Sequence, residues 1–198
     1  MRINRKLNLV VPVSADDPDN PALLRAVVHA SPISAETFDA YFLPISKTYA
    51  ALISQGLGIV AGPRIADKLL RQISTELGMW DSDVRSGRIG VKQGLIEEIH
   101  RLTNVTAPAK DGRGWGDYQY QEAKDAGLID ADDASEVDAA LVFFTVVSHM
   151  ERHRDVKAIL EGATKLWGAR VEYSSFTELR ASLQTSMRDE NSGVTAAA

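Results

Sequence analysis

The chain reads as a mainly α fold, a helical domain carrying a small N-terminal β-hairpin. Three stretches lead to that reading. Glu136–Met150 (EVDAALVFFTVVSHM) is the most apolar segment, and its large side chains cover nearly the whole circumference of a helix. Phe38, Tyr41, Phe42, Ile45, Tyr49, Leu52 and Ile53 recur with helical period. Leu7–Val13 and Leu23–Ala30 are rich in β-branched residues and flank a cluster of turn formers.

The bulk numbers fit a globular protein. The 198 residues are 44% hydrophobic and 25% charged, with a net charge of -5. That length can bury a sizeable core without a metal or disulfide. There are no cysteines, which excludes disulfides, thiolate metal sites and cysteine nucleophiles. The acidic balance argues against a nucleic-acid partner. Leu7–Val13 is too short and too interrupted, by Asn8 and Pro12, to be a signal-peptide core. Ala139–Val147 is far short of the roughly 20 residues that span a bilayer, so no membrane partner is expected.

In order along the chain, LNLVVPV predicts a strand, and Pro12 suggests an edge. Asp16–Pro21 supplies an acidic turn and LLRAVVHA the returning strand, giving a hairpin over about 7–30. Ser34 is placed to cap a helix, with Glu36 in its first turn. Pro44 should kink that helix or split it in two. Gly56–Gly62 resembles a phosphate loop only superficially. It lacks the Gly-Lys-Ser/Thr ending and follows a helix, so it reads as a helix–helix link.

Pro63 opens the next helix and Gly78 stops it; Ala66, Leu69, Leu70, Ile73 and Leu77 form its apolar face. Arg64, Lys68 and Arg71 read as its solvated side. Leu95, Ile96, Ile99 and Leu102 predict a short helix ending near Thr103 and Asn104. Thr106–Asp117, with Pro108 and three glycines around Trp115, reads as a loop whose tryptophan plugs back onto the core. Tyr118–Ala126 predicts a weak helix ending at Gly127. Asp130, Asp132 and Asp133 cap the apolar helix that follows. Beyond Met150 a charged segment leads into a further helix up to Gly168. Ser175 and Glu178 have the spacing of a capping box. Residues 191–198 read as a frayed tail, and 1–190 as one domain.

Catalytic signals are weak. His149 and His153 stand at i, i+4, the spacing of a bidentate zinc site on a helix. Met150 occupies the position where a zinc protease needs glutamate, so a metal-dependent enzyme is only an alternative. No Gly-x-Ser-x-Gly elbow is present. Neither an enzyme nor a cofactor is expected. His29 reads as structural.

The order of segments carries a resemblance. NLVVPV, SPISAETFDAYFLPISKTYAAL, GPRIADKLL, RLTNV, ALVFFTVVSHMERH, KLWG and SFTELRASLQTS together resemble the tail assembly chaperones of long-tailed, lambda-type bacteriophages. The resemblance runs from about Leu7 to Ser186 and rests on packing and turn patterns. It implies a helical protein of the host cell cytoplasm that binds the long, apolar tape measure protein and keeps it soluble. The tail tube protein is a second implied partner. It also implies absence from the finished virion, against the alternative of a structural virion component such as a minor tail or connector protein. Phe38, Tyr41, Phe42 and Tyr49, on the most aromatic helix, are the candidate partner-binding residues.

Overall fold

The computed structural model describes residues 7–14, 24–54, 62–80, 89–109, 114–151, 153–164, 170–172, 175–179 and 181. Strands β1 (Asn8–Ser14) and β2 (Leu24–Ala30) are followed by helices α1 (Ala35–Ala40), α2 (Phe42–Ser54) and α3 (Gly62–Glu76). A π-helical turn over Lys92–Ile96 leads into α4 (Glu97–Arg101). Next come β3 (Thr103–Pro108), β4 (Trp115–Gln119), α5 (Tyr120–Asp125), α6 (Ala131–Met150), α7 (His153–Thr164) and β5 (Arg170–Glu172).

The mainly α reading is corrected by the sheet. Five antiparallel strands pair in the order β4-β3-β2-β1-β5, so the N-terminal hairpin is the centre of a sheet rather than an appendage. The architecture is α+β, with α1 to α7 layered on one sheet face and a short helical turn over 176–179 on the other. The Thr106–Asp117 loop is corrected with it. Most of that stretch forms the β3–β4 hairpin, with Thr106 opposite Asp117 and Pro108 opposite Trp115.

Alternation along the strands divides the core. Leu9, Val11, Val13, Ala26, Val28, Ala30, Val105 and Ala107 face the helices. Val10 and Val27 face the other way, where Leu179, Leu24 and Trp115 cover them. Trp115 therefore does plug back onto apolar surface. Phe176 lies over buried His29, ring centroids 5.6 Å apart. The turn over 176–179 is held by the expected capping box: Ser175 N–H donates to Glu178 Oε2 at 2.7 Å, and Glu178 N–H to Ser175 Oγ at 3.3 Å.

Pro12 does not mark an edge, because β1 lies between β2 and β5; among the described residues β5 pairs with Asn8, Leu9 and Val10. At the other end of the hairpin the register shifts. Val13 faces Ala26 and Ser14 faces Leu24, which leaves Arg25 unopposed. The bulge re-aims Arg25, and its guanidinium pairs with Asp133 and, at 2.9 Å, with Asp130 at the start of α6. Asp130 is also the N-cap, accepting from the amides of Asp132 and Asp133.

Pro44 splits the aromatic helix in two. Its ring would collide with the carbonyl of Ala40, and it has no N–H to donate there, so α1 ends at Ala40 and α2 restarts at Phe42. Ser34 caps α1, accepting from Thr37 N–H at 3.1 Å. Gly78 (φ 65°) ends α3 in the left-handed conformation, with Met79 N–H donating back to Ser74. Helix α6 lies in the middle of the helical layer. It packs against α2, α3, α4 and α7, with β1 beneath it. Ala139 to Val147 are all buried, so a helix apolar on every side is enclosed on every side. Among the described residues, no helix is long and apolar enough to cross a membrane.

The Asp16–Pro21 turn, most of the Gly56–Gly62 link and the 191–198 tail lie outside the described residues.

Candidate partner-binding surface

The four aromatic residues singled out in α1 and α2 have different surroundings. Tyr41 sits at the break between the helices and is only 8% exposed. Its ring runs over Gly94, where a Cβ would collide with the phenol oxygen. That oxygen donates to the carbonyl of Ile89 at 3.4 Å, and burial raises its pKa. Tyr41 is thus a core residue rather than a contact residue, and Gly94 is the position that makes room for it. The aromatic spacing that marks Tyr41 in the sequence does not distinguish its inward direction from an outward one.

Phe38 and Tyr49 are half-buried. Phe38 stacks on the imidazole of His149, with centroids 5.2 Å apart and planes 22° from parallel. It meets Phe42 edge-on at 5.8 Å. Tyr49 donates its phenol hydrogen to the Glu151 carboxylate, just past the end of α6. Burial and that carboxylate push its pKa up to about 12.

Phe42 alone of the four faces solvent. It is 51% exposed, and Leu43 and Ile53 on the same helix are 48% and 55% exposed. At about 100° per residue, Phe42, Ser46, Ala50 and Ile53 follow one another along one side of α2, with Leu43 and Lys47 flanking them. The opposite side, carrying Ile45, Thr48 and Leu52, is buried. The outer side is therefore apolar with a single charge. Ile89, 65% exposed beside Tyr41 and Gly94, is the other large apolar side chain open to solvent among the described residues. Phe42, Leu43 and Ile53 lie on one helix, which makes its outer side the candidate interaction surface.

His149 serves the architecture of this corner. Its Nδ1 lies 2.9 Å from the carbonyl of Thr145 and its Nε2 3.3 Å from the carbonyl of Ile33. Both nitrogens face backbone oxygens, and coordination by either would require those contacts to open. The side chain of His153 lies outside the described residues. Among the described residues, no group of three or more His, Asp or Glu side chains is placed to hold a metal ion.

A second constellation escapes sequence reasoning because its members are far apart in the chain. Asp138 of α6 receives His100 Nε2 from α4 and the Tyr120 hydroxyl from α5, each at 2.9 Å on the same oxygen. Lys124 Nζ lies 3.6 Å from its other oxygen. Burial alone would raise the Asp138 pKa. The hydrogen bond and charge of His100, then Lys124, then the Tyr120 hydroxyl, outweigh burial and hold the pKa below the ordinary value. Tyr120 is fully buried, and its phenol is pushed far above its usual range by burial first and the Asp138 charge second. A phenol held protonated against a carboxylate is a fastener rather than a base. Every group here is engaged by another member, so the cluster ties α4, α5 and α6 together.

Comparison of the chain with protein-family models, with curated proteins and with solved structures finds no match.

Proposed function

We propose that the protein is a phage tail assembly chaperone. It binds the tape measure protein during tail morphogenesis in the host cytoplasm, and it does so without catalysis. The observation that carries this reading is the outer side of α2. Phe42, Leu43 and Ile53 stay in solvent while Pro44, Ile45, Thr48 and Leu52 of the same helix are built into a closed core. Leaving three large apolar side chains exposed forgoes about 1.5–3 kcal/mol for each one that could be buried, a cost that a binding role accounts for. The order of segments, which resembles that of tail assembly chaperones, names the partner. A long helical client can lay an apolar stripe along such a face. The tail tube protein is a further candidate partner.

Co-expression with the tape measure protein tests this. A chaperone increases the soluble fraction of the tape measure and co-purifies with it, and is missing from purified particles. Stoichiometric recovery of the chain in virions would instead make it a structural tail component.

A further inference from the structure

We infer that the outer side of α2 receives a single amphipathic helix of about three turns, whose flank carries basic residues where it passes α1. The inference rests on the partner-binding reading above and adds the chemistry of what is bound. Two observations carry it.

The first is size. Phe42 and Ile53 lie eleven residues apart on one helix, a length of about 16 Å at roughly 1.5 Å per residue. A strip that long and one helix wide, about 10 Å, covers on the order of 160 Å². A stable face-to-face pairing of globular partners needs about 800 Å² from each. Among the described residues the strip matches one helix of a partner and is smaller than what a face-to-face second copy would cover. Its middle is made of the small residues Ser46 and Ala50, between Phe42 and Leu43 at one end and Ile53 at the other. That profile lets a helix approach closely at the centre and be gripped at both ends.

The second is charge. The exposed charged residues of α1, next to the Phe42 end, are Glu36 and Asp39, both acidic. The only charged residue on α2 is Lys47, exposed on the flank of the strip. A helix that runs along α2 and past Phe42 toward α1 meets these two carboxylates, which favour lysine or arginine there and repel acidic residues. A second copy presenting the same face would bring no basic cluster to those two acids.

The test uses the full chain and two labelled helical peptides. Each is three to four turns long with leucines at i, i+4, i+7 and i+11. One carries three lysines at one end, the other three glutamates at the same positions. Fluorescence anisotropy at low salt should show the lysine peptide binding at least about tenfold tighter. Phe42→Glu should abolish its binding, and Asp39→Lys combined with Glu36→Gln should erase or reverse the preference. Circular dichroism should confirm that each variant is folded, and Ile53→Lys serves as a second probe should Phe42→Glu fold poorly. Equal binding of the two peptides, or no binding of either, overturns the inference. So does a concentration-dependent dimer in light scattering that Phe42→Glu dissolves, because the occupant would then be a second copy. The two readings fail separately. Capture of the tape measure that depends on Phe42, with no peptide preference, sinks this inference alone. Peptide preference without capture sinks the chaperone reading alone.

Discussion

Helices α6 and α2 are both rich in apolar residues, yet they meet their surroundings differently. Around α6 lie helices α2, α3, α4 and α7 with the sheet beneath, and every residue from Ala139 to Val147 is buried. Helix α2 is covered on one side only, and Phe42, Leu43 and Ile53 remain in solvent. Apolar content alone therefore does not separate an enclosed helix from one at the margin of the fold. Position in the layer does, since a helix at the margin has one side for the core and one for whatever comes next.

This contrast can be broken most forcefully at α6. Phe144→Ala should cost about 3–5 kcal/mol, because a fully buried ring leaves a cavity that its neighbours cannot fill. Chemical denaturation measures it, and a loss below 1 kcal/mol would mean α6 is not enclosed as described.

The polar fastener on the same helix comes next. Asp138→Ala leaves the Tyr120 hydroxyl without its carboxylate and should cost about 2–4 kcal/mol. Its pH dependence has a definite sign. The folded-state pKa of Asp138 is depressed, so its contribution is present above the unfolded value of about 3.9 and is lost as pH falls through the lower folded value. The wild type should therefore lose more stability than Asp138→Ala between about pH 5 and pH 2. Parallel curves would remove the carboxylate from the account.

A smaller loss, about 1–3 kcal/mol, is expected for Gly94→Ala, since the new methyl would displace the Tyr41 ring. Restoration by Tyr41→Leu in the double variant would locate the conflict, and strictly additive losses would place it elsewhere. Smaller still is Tyr49→Phe, which removes the hydrogen bond to Glu151 for about 1 kcal/mol. Here the folded pKa is raised, to about 12. The contribution is full below the unfolded value of about 10 and fades as pH rises toward the folded one. The difference between wild type and Tyr49→Phe should shrink over that alkaline range.

Local chemistry explains what was legible in the sequence. The caps at Ser34, Asp130 and Ser175, the stop at Gly78 and the split at Pro44 are each decided by a few adjacent residues, and each stands where expected. The first two strands are rich in β-branched residues and were equally readable. β4 was not, because its sequence, WGDYQ, holds a glycine and an aspartate, and only pairing with β3 makes it a strand. β5 has three residues, too few for any period to show. Without these strands the sequence reads as a hairpin on a helical domain, where the structure has an α+β sheet. At the candidate surface, helical spacing marked Phe42 and Tyr41 alike. Their opposite fates depend on the space that Gly94 leaves for the Tyr41 ring, which no local pattern encodes. The Asp138 network was invisible because His100 and Tyr120 lie 38 and 18 residues away.

The outer side of α2 is proposed as a binding surface and not an unfinished core. Co-purification of the tape measure protein with wild type and with Phe42→Glu, alongside the melting temperature of each, tests it directly. A solvent-facing substitution should change stability by no more than about 0.5 kcal/mol while capture is lost. Undiminished capture by a folded Phe42→Glu variant would contradict the claim.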